Sequence, residues 1–116
     1  MNEADRSARV KPPFDPKELV RLAAEGIFFG TTSWKYRGWE GLIYIGGYDT
    51  EAQFQRQSLR EYTHCFPTVG ADFTYYAWPT PDMISYLAES SPENFRFVFK
   101  ATKRATLERF PESPLT

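Results

Sequence analysis

The chain has 116 residues, 14 Lys+Arg against 15 Asp+Glu, a formal charge of -1, and 41% hydrophobic with 17% aromatic side chains. This composition describes one modest globular domain, and its charge balance argues against a basic nucleic-acid coat or a basic membrane-surface domain. A single cysteine excludes an internal disulfide, no apolar run approaches the ~18 residues of a membrane span, and without an apolar signal segment the expected location is cytoplasmic.

Residues 1–13 are polar and aperiodic and end in Pro12-Pro13. They read as a mobile arm before a domain over residues 14–116. Asp15-Pro16-Lys17-Glu18 is a helix start: Asp15 caps, Pro16 takes the first helical position, and Glu18 completes a capping box. Phe14 and Leu19 are placed for a hydrophobic staple. Gly26 is a natural stop, so the spacing predicts a short helix over 16–25. Residues 27–32, Ile-Phe-Phe-Gly-Thr-Thr, read as a short buried strand.

A glycine- and aromatic-rich loop follows over residues 33–48. Thr50-Glu51-Ala52-Gln53 is a second capping box. The helix after it places Ala52, Gln55, Leu59, Tyr62 and Phe66 along one stripe and ends at Pro67. Residues 68–76 read as a strand with Val69, Ala71, Phe73 and Tyr75 on one face. Thr80-Pro81 opens a third helix, carrying Met83, Ile84, Leu87 and Ala88 and stopping before Pro92. Residues 95–101 form a third strand in which Phe95, Phe97 and Phe99 alternate against Arg96, Val98 and Lys100. Residues 110–116 carry two prolines and no further strand.

Alternating helices and strands imply an α/β fold with a parallel sheet and crossover helices. Parallel strands are normally covered on both faces, so a three-stranded sheet leaves edges for further strands or self-association to cover.

Several strings resemble the YecE-like family, also called domain of unknown function 72. They are Phe29-Gly30-Thr31-Thr32-Ser33-Trp34-Lys35-Tyr36 with Gly38-Trp39, Phe66-Pro67-Thr68-Val69, Thr74-Tyr75-Tyr76 with Pro79, and Asn94-Phe95-Arg96-Phe97-Val98-Phe99-Lys100-Ala101. The resemblance implies a TIM-type (β/α)8 barrel, of which this chain holds the first three βα units. A whole barrel takes about 250 residues, which makes this chain a truncated form. Two positions depart from the family. Where it commonly reads Val-Glu-Ile-Asn, this chain has Val69-Gly70-Ala71-Asp72, and a histidine often seen soon after the third strand's lysine is replaced in the neighbourhood of Thr106 and Leu107. No acid–base role built on those two groups carries over.

Barrel active sites sit at the C-terminal strand ends. The resemblance therefore selects Ser33, Trp34, Lys35, Tyr36, Arg37 and Trp39 after the first strand. It selects Asp72, Thr74, Tyr75 and Tyr76 at the second, where at most one of the two tyrosines can face the barrel interior, and Lys100, Lys103 and Arg104 at the third. This mixture suits a ligand with an anionic group and a flat or sugar-like face. The alternative for Trp34 and Trp39 is packing, and for Lys35 and Arg37 it is solvation.

Strand alternation puts Asp72 and Lys100 on one face near the barrel mouth, as a satisfied ion pair or as a catalytic pair in which Asp72 tunes an anion-gripping Lys100. His64 and Cys65 diverge around a helix and read as a surface histidine and a packed cysteine. Neither a P-loop, GxGxxG nor GxSxG occurs, no metal-ligand spacing is visible, and no cofactor follows from any motif. The functions left open are an enzyme acting on a small anionic or sugar-like ligand, a non-catalytic module binding nucleic acid or a partner, and a fragment without independent activity.

Overall fold

Capping residues set the helix boundaries. In a computed structural model that describes residues 3–106, the Asp15 side chain accepts from the Lys17 N–H and opens α2 (Pro16–Ala24). Glu18 does not close the expected box; its carboxylate is hydrogen-bonded by Arg21 one turn on, at 2.8 Å. Phe14 packs on Phe66, with ring centroids 5.0 Å apart. Gly26, at φ +90, takes the left-handed turn that ends the helix. Thr50 caps α3 (Glu51–Tyr62) and Thr80 caps α4 (Pro81–Glu89), each accepting from the N–H three residues on. Residues 110–116, with their two prolines, lie outside the described residues.

The strands are β1 (Gly30–Thr31), β2 (Thr68–Ala71) and β3 (Arg96–Phe99). They form one parallel sheet in the order β1-β2-β3, with Val69 opposite Phe97 and Gly70 opposite Val98. A short α5 (Lys103–Thr106) follows. Gly30 permits the β1–β2 approach, because a Cβ there would stand 2.1 Å from the Thr68 carbonyl oxygen.

Four expectations need correction. The segment read as a mobile arm contains a helix, α1 (Glu3–Arg9), and buries Arg6 and Val10. The first strand is two residues long rather than six. The Ile27 N–H goes back to the end of α2, and the Thr31 N–H goes to the Tyr62 hydroxyl at 2.9 Å. With little ladder to hold them, Ile27, Phe28 and Phe29 stay exposed.

The stripe on α3 is rotated: Phe54 and Ser58 join Leu59 and Tyr62 as the buried face, while Ala52 is exposed. A Phe ring buries far more apolar area than an Ala methyl, and Phe54 packs edge-on to Tyr44 and Tyr48. Finally, β2 stops at Ala71, and Asp72–Tyr75 turns into a 3-10 helix.

The core is built around α3 and the loop after β1. Trp34, Ile43 and Tyr44 from that loop join Phe54, Leu59, Tyr62, Val69, Leu87 and Phe95. The Tyr44 hydroxyl donates to the Trp34 carbonyl. Tyr62 ties helix to sheet, its hydroxyl accepting from Thr31 and donating to the Thr68 carbonyl at 2.9 Å. The other side of the sheet is open: Val98, which points away from the helices, is 63% exposed. No described helix is long and apolar enough to cross a membrane.

Candidate functional site

The ends of β2 and β3 bring together the pair expected from alternation. Lys100 Nζ lies 3.9 Å from Asp72 Oδ2, with the two side chains 59% and 43% exposed. An ion pair this open to water contributes little to stability. The contact follows from the register: Ala71 pairs with Phe99, so the next residue on each strand leaves the sheet on the same side.

Thr74 fixes the geometry. Its buried hydroxyl reaches the Ala71 carbonyl at 3.1 Å and the Lys100 carbonyl at 2.6 Å, clamping the turn after β2 to the end of β3. That commitment makes Thr74 a positioning residue. The turn also brings Tyr75 under the lysine, with Nζ 5.7 Å from the ring centroid. Tyr75 belongs to the strand-end cluster expected from the sequence, but an unbroken strand would have turned it to the face away from Asp72 and Lys100. Asp72, a residue type depleted in strands, was the signal that the strand stops. Tyr76, widely exposed, stands edge-on to Tyr75 at 5.2 Å. Lys103 lies further on, exposed at the start of α5.

Of the first-loop candidates the two indoles pack, while Lys35, Tyr36 and Arg37 stay exposed. Trp34 is 2% exposed and belongs to the core, and Lys35 lies over its ring at 5.5 Å. Trp39 is half-buried between Tyr36, at 4.6 Å, and Tyr44, at 6.1 Å. Arg37 turns toward α3. It pairs with Glu40 at 3.0 Å and Glu51 at 3.5 Å and lies over the Phe54 ring at 5.3 Å. The hydrogen bonds that Arg37 donates to the Glu40 carboxylate raise its pKa further. The loop meets the strand-end cluster where the Trp34 and Phe73 rings stand at right angles, 6.5 Å apart.

Beside this cluster an apolar cleft of about 470 Å³ opens between α4 and β3, lined by Trp78, Ile84, Leu87, Phe97 and Phe99, with Lys100 at its edge. His64 is exposed and Cys65 buried, as expected, although both lie in the turn after α3 rather than on the helix.

Helices joining neighbouring parallel strands, with polar groups gathered at the strands' C-terminal ends, define the class: an α/β protein with a parallel sheet. Within that class, residues 28–114 match the family model described as Protein of unknown function DUF72. The chain belongs to this family. Neither a curated protein nor a solved structure matches it.

Proposed function

We propose that the sheet is the start of a TIM-type barrel, and that its C-terminal rim binds a small anionic, sugar-like ligand as an enzyme site. The observation that carries this reading is the Lys100–Asp72 contact at the ends of adjacent parallel strands, with Tyr75 beneath the lysine and Tyr76 exposed beside it. Val98, exposed on the sheet face away from the helices, fits a barrel interior that further strands would close. Lys100 supplies a point charge for an anion and a proton to give. The Asp72 carboxylate holds the ammonium in place and accepts from ligand hydroxyls. The exposed tyrosine offers an apolar ring for the flat face of a sugar.

Titration of the chain with a hexose phosphate, followed by amide chemical shifts, tests the reading. Shifts are expected to cluster at residues 72–76 and 100–103. They should disappear in Lys100→Ala and persist in Lys17→Ala, which lies on α2 away from the strand ends. Equal effects of the two substitutions would remove the functional claim.

A further inference from the structure

At the opposite side of α3, the helix that replaces the expected mobile arm is held in an unusual way. Among the described side chains of residues 5–10, Arg6 and Val10 are buried and the others are exposed. The Arg6 guanidinium donates to the Ile43 carbonyl, to the Glu61 carbonyl at 3.2 Å and to Cys65 Sγ at 3.8 Å. It also faces the Glu61 carboxylate, with Nη1 3.6 Å from Oε1. Every one of these acceptors comes from residues 43–65.

The acceptors are fixed without help from α1. The Glu61 carboxylate also accepts from the Ile45 N–H at 2.8 Å and from the Tyr48 hydroxyl. Ile43 is held by its own N–H, which bonds the Trp39 carbonyl at 2.9 Å. By contrast, α1 has 7 residues, too few to persist as a helix on its own. Pro12 and Pro13 separate it from α2, and among the described residues its backbone is tied to the body by the Lys11 N–H, which donates to the Gly41 carbonyl at 3.0 Å. A cavity of about 700 Å³ runs beside Arg6, Val10, Glu61, His64 and Cys65, leaving room at the edge of the contact.

We propose that Ile43, Glu61 and Cys65 form a guanidinium-binding socket, filled in cis by Arg6, which makes α1 an exchangeable strap over the end of α3. Two carbonyls and a carboxylate converge on one side-chain head. That arrangement suits the planar, many-donor guanidinium and not an ammonium, which presents three donors from one point. The ligand class of the socket is an arginine side chain, and its resident is the chain's own Arg6.

Cys65 is the chain's single cysteine and lies under the strap, so thiol labelling reports on it directly. In full-length Arg6→Ala, Cys65 should label about tenfold faster or more than in the wild type, because local opening sets the rate. Added methylguanidinium should slow the labelling again, and methylammonium should not. Arg6→Lys should label as Arg6→Ala does. The proposal is overturned by wild-type labelling in either variant, or by equal protection from the two cations. It is also overturned if circular dichroism shows that Arg6→Ala does not fold, since an exchangeable strap is not required by the rest of the chain.

Discussion

Two regions of the molecule share a composition and differ in what their side chains do. The loop over residues 33–48 and the ends of β2 and β3 both interleave aromatic rings with Lys and Arg, and both stand at C-terminal strand ends. In the loop the rings fill the core, with Trp34 and Tyr44 buried, and the cation Arg37 is spent on Glu40 and Glu51. At the strand ends Tyr75 is half-buried, while Tyr76 and the cation Lys100 face water. A mixture of aromatics and cations is therefore no evidence of a site by itself. What separates the two regions is whether the backbone has nearby apolar mass to fold over. The loop lies on α3, while the end of β3 has an open cleft beside it.

The sharpest way to break this contrast is truncation. Trp34→Ala removes a buried indole and should cost about 3–5 kcal/mol of stability. Tyr76→Ala, at an exposed position, should change stability by less than about 0.5 kcal/mol. Urea denaturation midpoints measure both, and equal costs would erase the distinction.

Tyr62→Phe should come next, at about 1–3 kcal/mol. It leaves the Thr31 N–H and the Thr68 carbonyl without their partner while keeping the ring stacked on Phe66. A neutral result would mean that β1 is not held through this hydroxyl.

A smaller effect concerns Glu61. Burial raises its carboxyl above the ordinary 4.5, offset in part by the Ile45 N–H and by Arg6. The folded chain then holds that proton more tightly than the unfolded chain does. The resulting stability is complete below 4.5 and is lost as pH rises through the folded value. Measured from about pH 4 to about pH 7, the wild type should lose stability relative to Glu61→Gln. A difference that grows in the opposite direction contradicts the assignment.

Much of the architecture was legible because it depends on local chemistry. Asp15, Thr50 and Thr80 cap the helices they were expected to cap, and the alternation along β3 correctly paired Lys100 with Asp72. Most of the failures come from tertiary competition. Ile27, Phe28 and Phe29 have the residue types of a buried strand, but β-propensity measures fit to a pleated, covered surface, and these side chains stay 38–55% exposed. The register of α3 turned on which ring the loop could reach, and that depends on a fold around Tyr44. The helix of residues 3–9 had no apolar period to reveal it, because its anchor is a charge meeting carbonyls brought from residues 43 and 61. The place of Tyr75 beneath Lys100 was hidden by a strand that ends one turn early.

Inorganic phosphate binding tests the central claim most directly, comparing Lys100→Ala with the double variant Lys35→Ala, Arg37→Ala by isothermal titration. If the strand ends carry the site and the loop is structural, Lys100→Ala abolishes binding and the double variant retains it. Binding that survives Lys100→Ala and is lost with the two loop cations would place the anion site in the loop and contradict the account.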